Sequence, residues 1–465
     1  MIKSIFHTIL MLLICSVSYA NVSLKGKLID TDKKPIPYAN IVIKNTAIGV
    51  ISNGEGFFSI NIPEEYLNSS LVFSSIGFKT KEISIRSFKN SKTETIQLET
   101  DIVNLNEVTI EVKATNANEI VQKAFDHYYE NFPTTPFIGK AFLRHTEKTK
   151  TKYKWLVDAA IEVYDPGFNQ KSKEIKLNIS EIKRSIDNRS LDTADIYCFY
   201  LSQVKNIPFK KSVKRQNNLA NEDPKEIENA INYQDNRLSN PHALFSSGLN
   251  VIRYFKQKDA IFDKSILKKH NFKIDSVLAY NSDEIYKIKI TPKSPLVKLN
   301  KHYGKFRFPI GWIYIRAKDY AILELDYTLI RSKKGEIFTK LYGSKIASSF
   351  HIKFIEIDGK MYPKHITLNT PKSNNLFTIM TNTAHGAKGN PEDYYYETQE
   401  VIFNEIVTDN SILTKSLEKP WNSNLFTPRP YNAEFWQKYS SMVETEKQKV
   451  FREALEKELS NNKSK

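Results

Sequence analysis

The chain has 465 residues, and 68 lysines and arginines against 52 aspartates and glutamates give it a formal net charge of +16. That balance favours anionic partners: a membrane surface, lipopolysaccharide, acidic glycans or anionic peptides. Zinc-finger and RNA-recognition spacings are missing, which argues against nucleic acid, and a well-solvated lysine-rich surface is the bland alternative.

The first twenty residues have the pattern of an export signal. Lys3 supplies the positive start, Ile9 to Val17 is a short apolar run, and Ser18-Tyr19-Ala20 offers the small residues of a cleavage site. A spanning helix needs about 20 apolar residues, more than this run provides. Cys15 as a lipid-anchor cysteine is disfavoured by the bulky Ile14 before it, so cleavage after Ala20 is expected. Cys198 is then the sole cysteine, which excludes an internal disulfide. It lies in the apolar run Ile196-Tyr197-Cys198-Phe199-Tyr200, where a buried inert thiol is expected. No later stretch is long and apolar enough to span a bilayer.

From residue 22 the chain alternates. Val22, Leu24 and Leu28 are interleaved with Ser23, Lys25 and Lys27, and Ala39, Ile41 and Ile43 alternate again after Pro35 and Pro37. Asn53-Gly54-Glu55-Gly56 reads as a tight turn. Phe58, Ile60 and Ile62 then share one face, and Thr93 to Glu99 reads as a last strand. This order resembles the carboxypeptidase-like regulatory domain, a transthyretin-like β-sandwich. The residues carrying the resemblance are Gly26, Pro35, Pro37, Ala39, Asn40, Ile41, Gly49, Asn53, Gly54, Gly56, Phe58, Ile60, Leu71, Phe73, Gly77 and Phe78. It implies a small antiparallel sandwich that is not itself catalytic.

Residues 101–117 read as a linker. Asn118 to Phe132 has helical periodicity in Val121, Phe125, Tyr128 and Phe132, with Asn118 as the expected cap and Pro133 and Pro136 ending it. Lys140 to Leu143 and Trp155 to Tyr164 read as strands. Between them Lys148, Lys150, Lys152 and Lys154 fall at every second position, as around a hairpin tip or along a guarded sheet edge. Asn131, Pro133, Ala141, Phe142 and Arg144 make this stretch similar to a segment found after the sandwich in Bacteroidota envelope proteins.

Residues 175–240 are polar and show no clear period. Pro241 to Tyr254 reads as a helix. Phe272 to Leu278, Glu284 to Ile290, Gly311 to Ile315, Ala321 to Tyr327, Ser348 to Ile357 and Lys364 to Leu368 read as strands of an antiparallel meander, with Asp358-Gly359 as a hairpin turn. Phe377 to Thr383 and Val401 to Ile406 would be the last strands. Gly311-Trp-Ile-Tyr-Ile followed by Asp319-Tyr-Ala-Ile-Leu-Glu resembles a strand pair of periplasmic lipoprotein-carrier folds, which implies a curved sheet closed by helices around an apolar pocket. Ala433 to Leu459 is expected to be one charge-rich helix, with Phe435, Trp436 and Tyr439 docking onto the sheet.

Catalytic motifs are sparse. His127-Tyr-Tyr-Glu130 has the local spacing of a zinc pair, with His242 or His270 conceivable as a third ligand. The chain around it lacks the βαβ alternation of a zinc carboxypeptidase, so a chance match is expected. Asp158 and Glu162 read as ordinary surface carboxylates, and Asp30 and Asp32 as a solvated turn rather than a calcium loop. No residue is assigned to catalysis, metal or cofactor. The 24 tyrosines and 27 phenylalanines are the filling expected of β-rich cores.

The expected fold is mainly β with an α+β part: signal peptide 1–20, β-sandwich 21–100, linker 101–117, antiparallel-sheet domain with helices 118–420 and a helical tail 421–465. The expected function is that of a non-enzymatic exported protein, in the periplasm or at the outer membrane, that binds an envelope protein, glycan or amphiphile. An amphiphile carrier and a hydrolase are the alternatives.

Overall fold

A computed structural model describes residues 22–88, 93–101, 116–149, 152–246, 266–293, 307–331, 339, 343–373, 394–427 and 429–453. The expected signal peptide, the strand at 377–383 and nearly all of the linker fall outside these residues.

The N-terminal unit is a sandwich of two small sheets. Strands β1 (Val22–Ile29), β4 (Phe57–Ile62) and β7 (Glu94–Gln97) form one in the order β4-β1-β7. Strands β2 (Asn40–Ile43), β3 (Gly49–Ile51), β5 (Ser70–Ser74) and β6 (Lys81–Ser84) form the other, in the order β3-β2-β5-β6. The alternation seen in the sequence is the burial pattern: Leu24, Leu28, Ile41, Ile43, Phe58, Ile60, Leu71 and Phe73 meet in one core. The β1–β7 pair is parallel rather than antiparallel. Gly26 carries no side chain because the Phe58 ring fills its place: a Cβ there would lie 2.4 Å from Phe58 Cε1.

The large unit is one ten-stranded sheet. Its strands are β8 (Phe137–Lys148), β9 (Tyr153–Asp165), β10 (Lys176–Arg184), β11 (His270–Tyr280), β12 (Asp283–Pro292), β13 (Arg307–Arg316), β14 (Ile322–Arg331), β15 (Ile346–Ile357), β16 (Lys360–Ser373) and β17 (Tyr394–Val407). The order is β10-β9-β8-β17-β16-β15-β14-β13-β12-β11, and every pair is antiparallel. Two meanders, β8 to β10 and β11 to β17, are therefore joined where β8 pairs with β17. Each strand read from the sequence for this unit, apart from 377–383, which lies outside the described residues, is present and longer than expected. Asp358 and Gly359 turn the β15–β16 hairpin with φ of 50° and 72°, as a primed turn requires.

Helices α1 (Ala117–Asp126) and α2 (Tyr128–Asn131) cover one face of this sheet through Ile120, Val121, Phe125, Tyr128 and Phe132. The cap is Asn116, which accepts from Asn118 N, not Asn118 itself; the expected single helix breaks at His127. The polar stretch 175–240 holds β10 and three helices: α3 (Thr193–Gln203), α4 (Phe209–Gln216) and α5 (Pro224–Ser239). Their small core is Tyr197, Tyr200, Leu201 and Ala230, with the buried thiol of Cys198 beside it. Helices α4 and α5 carry few apolar residues, and those of α3 form a continuous run rather than a helical period, which hid them. They are held instead by Asp192 and Asp223 caps and by Arg215 bonding Glu222 and the Tyr197 hydroxyl. Of the expected helix 241–254, the described part is α6 (His242–Ser246), followed later by α7 (Ile266–Lys269).

After β17 come α8 (Asn410–Leu417) and α9 (Ala433–Lys438). The tail is not one helix. It runs without helix from 439 to 445 and resumes a helix at 446–453. It is a strap fastened across the joint of the two units. Tyr439 donates to Ala141 O (2.7 Å) on the sheet, while Asn61 of the sandwich donates to Lys438 O (2.8 Å) and Asn53 to Val443 O (3.1 Å). Met442 packs with Ile51 of the sandwich and with Phe142 and Ile402 of the sheet.

Candidate functional site

The pleat sends alternate side chains of each strand to opposite faces, and the large sheet carries a polar cluster on each. One face meets the sandwich; the other meets the helices.

On the sandwich side, Tyr38 stacks on His365 and lies against His351, with centroids 5.0 Å and 5.9 Å away. His365 Nε2 is 2.9 Å from Glu400 Oε1, and Lys353 donates to Tyr38 O (3.1 Å). Burial, with Lys353 and His365 alongside, lowers the His351 pKa to about 2, even with Glu324 3.5 Å away. Lys364 is fully buried, and its ammonium nitrogen donates to Gly49 O (2.8 Å) in the sandwich and Phe403 O (2.7 Å) in the sheet. Burial lowers its pKa to about 7. Arg144 grips Asp158 through two bonds of 2.8 and 3.0 Å, and Arg452 of the strap reaches the same carboxylate at 3.3 Å. Asp158, read from the sequence as a surface charge, is therefore a buried ion-pair partner. Its opposite neighbour across the hairpin is Arg144, a relation that strand spacing alone does not disclose.

On the helix side, register places His145 opposite Gln399 and Glu147 opposite Glu397. Two glutamates directly across a strand pair repel, and each has its own cation. Glu147 Oε1 receives Arg189 Nη1 at 3.0 Å and lies 3.2 Å from His145 Nε2. Glu397 pairs with Lys372 at 3.3 Å and accepts from the Ser239 hydroxyl. Lys372 and His145 hold the Glu397 carboxyl below its usual pKa despite burial. Arg189 also binds Asp187 and Asp235 and lies 3.7 Å over the Trp155 ring; these carboxylates keep it firmly charged.

Beside this cluster opens a cleft of about 330 Å³, between the end of α5, α6 and strands β14 to β17. Leu238, Leu244, Ala347, Leu368 and Pro371 supply its apolar lining, and Ser239, Thr370, Lys372, Glu397 and Gln399 its polar lining. Among the described residues, side chains of the main core pack elsewhere on the helix face. The cleft lies at one end of the sheet and is half polar, where the sequence led to an apolar concavity.

His145, Glu147 and Glu397 are the one group of three among the described residues whose ligand-type atoms lie within 4.8 Å of one another. Arg189 and Lys372 already occupy their carboxylates. Both ring nitrogens of His145 have neighbours as well: Glu147 Oε1 lies 3.2 Å from Nε2 and Gln399 Nε2 lies 3.5 Å from Nδ1. The chemistry fits a buried ion network better than a metal centre. The residues weighed from the sequence do not gather. His127 and Glu130 are 3.9 Å apart on the surface, and His127 Nδ1 is bonded to Lys123 O. His242 Nε2 is bonded to Ile175 O (2.9 Å), and His270 is buried at the start of β11. Asp30 holds its own turn through Lys34 N (2.8 Å), and the lysine row ends a hairpin in which Thr149 N meets Lys152 O.

Sandwich, sheet and strap thus define a β-rich protein with a small N-terminal domain and a cleft in its large sheet domain. Residues 24–110 match the CarboxypepD_reg-like domain family, and the N-terminal sandwich is a domain of that kind. No curated protein matches the sequence. Among solved structures, the chain is similar to a LolA superfamily protein from Nitrosomonas europaea and to a putative outer membrane lipoprotein-sorting protein domain from Vibrio parahaemolyticus. Each is 9% identical with a TM-score of 0.23, over 65% of this chain and 99% of that one. A DUF1329 family protein from Desulfovibrio piger has 9% identity and a TM-score of 0.22, over 64% of this chain and 93% of that one. Superposition at this level carries no weight for function. Among the described residues no helix is long and apolar enough to cross a membrane, which says nothing of a β-barrel.

Proposed function

We propose that this is a non-catalytic binding protein of the cell envelope whose large domain holds an amphiphile in the helix-face cleft. The observation that carries this reading is the lining of the cleft. Its volume lies at the low end of small-molecule sites, room for part of a larger ligand. It offers apolar surface from Leu244, Leu368 and Ala347 together with buried polar groups from Ser239, Glu397 and Gln399. A wholly polar ligand would leave the first set without apolar contact, and a wholly apolar one would lie against the second without using its remaining hydrogen-bonding capacity.

A hydrolase is the weaker reading. The Ser239 hydroxyl donates to Glu397 rather than to an imidazole, and His145 is engaged by Glu147, so the pairing that activates a nucleophile is not assembled. An envelope location agrees with the signal-like N-terminus and with the net charge of +16.

Native mass spectrometry of the full chain, purified without detergent, tests the proposal. A retained amphiphile, lost in Thr370→Trp, which fills the cleft, is the expected result. A chain that carries nothing and binds an environment-sensitive apolar dye equally well with and without Thr370→Trp would overturn it.

A further inference from the structure

Helix α4 presents a surface that the cleft does not explain. Its sequence Phe209-Lys-Lys-Ser-Val-Lys-Arg-Gln follows Val204-Lys205-Asn206-Ile207-Pro208, so residues 204–216 hold five cations and no carboxylate. Two of the five are engaged: Arg215 with Glu222 and Glu226, and Lys205 with Glu226 at 3.5 Å. Lys210, Lys211 and Lys214 are exposed and make no ion pair among the described residues.

At about 100° per residue, Lys210 and Lys214 share the centre of one face, flanked by Lys211 on one side and Phe209 on the other. Ser212 points the opposite way, buried, with its hydroxyl near Ile207 O and Pro208 O. This fixes the lysine face outward. Phe209 is 71% exposed, the most exposed large apolar side chain described, and Phe199 and Val204 of the preceding turns are each 37% exposed. Phe209 thus adds an exposed apolar group beside three lysines that make no ion pair among the described residues.

We propose that α4 is a docking foot for an anionic lipid bilayer surface. The three lysines meet lipid headgroups, and Phe209 enters the boundary between headgroups and acyl chains. Charge complementarity selects an anionic partner, and the phenyl group selects a bilayer over a soluble polyanion, which would leave Phe209 in water. Ile207 and Leu219, on either side of the foot, pack on the small core that joins α3 to α5, and the last residues of α5, Leu238 and Ser239, wall the cleft. Docking does not depend on what the cleft holds, and Thr370→Trp should leave it unchanged.

Co-sedimentation of the full chain with vesicles tests the inference, comparing phosphatidylcholine alone with phosphatidylcholine containing phosphatidylglycerol. Binding is expected only to the anionic vesicles and should weaken with added salt. Each lysine contributes about fivefold, so replacing Lys210, Lys211 and Lys214 by Gln should weaken binding about 100-fold. Phe209→Ser should weaken it about tenfold at constant charge. All four side chains are exposed, so the variants should melt with the parent. Three results would overturn the inference: no binding to anionic vesicles, binding that the variants leave intact, or capture by dextran sulfate without capture by vesicles.

Discussion

Tyr38 of the sandwich lies flat on His365 of the large sheet, with ring centroids 5.0 Å apart and planes inclined by 21°. The contact ties the two units together beside buried ionisable groups, so their union depends on pH. His351, lowered to about 2 from an ordinary 6.5, must stay neutral in the folded state; its contribution is present above pH 6.5 and is lost as pH falls below it. Lys364, lowered to about 7 from 10.5, adds a second slope. The unfolded chain binds the extra proton between those values, so stability rises from pH 7 toward 10.5.

Lys364→Met should remove the alkaline slope, which amounts to at most about 1.4 kcal/mol per pH unit. It should also make the protein more stable than its parent at neutral pH, because no carboxylate meets this ammonium, only the Gly49 and Phe403 carbonyls. Urea denaturation at several pH values between 6.5 and 9.5 checks this. A parent whose stability is flat across that range would show that Lys364 is not buried.

Arg144 and Asp158 should behave as a buried pair. Arg144→Ala leaves Asp158 with only Arg452 of the strap and should cost about 3–5 kcal/mol. Arg144→Met combined with Asp158→Leu should recover most of that loss, since no charge is then stranded. Equilibrium unfolding of the two single variants and the double variant gives the coupling. Limited proteolysis should cut the strap near Met442 in Arg144→Ala before it cuts the parent.

The sandwich core should be sensitive at Phe58 and Gly26 together. Phe58→Ala removes a fully buried ring and should cost about 3–5 kcal/mol. Gly26→Ala forces a methyl group into that ring, with the Glu94 carbonyl 2.9 Å behind it, and should cost about 1–3 kcal/mol. In the double variant the penalties should fall short of their sum, because the smaller side chain makes room for the methyl. Thermal melts of the three proteins decide this.

The sandwich was legible because alternation, Gly26 and the Asn53-to-Gly56 turn all act over short range. The meander was legible for the same reason, down to the Asp358-Gly359 hairpin. Helices α3 to α5 were not: the apolar residues of α3 form a continuous run without a helical period, and α4 and α5 lean on caps and ion pairs. The two polar clusters were hidden for a different reason. His145, Glu147 and Glu397 become neighbours only when β8 pairs with β17, about 250 residues later in the chain, and a carboxylate such as Asp158 looks like any other until its partner's register is known. The strap was misread as a continuous helix because the charged residues after Tyr439 satisfy helical composition, whereas contacts with Asn53, Asn61 and Ala141 hold the chain extended.

The join between β8 and β17 also sets a timetable for folding. Strand β8 needs a partner on each side, and the second is Tyr394–Val407. A growing chain can form the β8–β9–β10 meander early, but the edge of β8 waits, open, until Tyr394–Val407 has been delivered. Pairings of such long range are slow to close and exposed to aggregation in the meantime. For a chain delivered from its N-terminus, the sandwich is a unit that can mature first, while the great sheet and the strap that locks it are completed only after it.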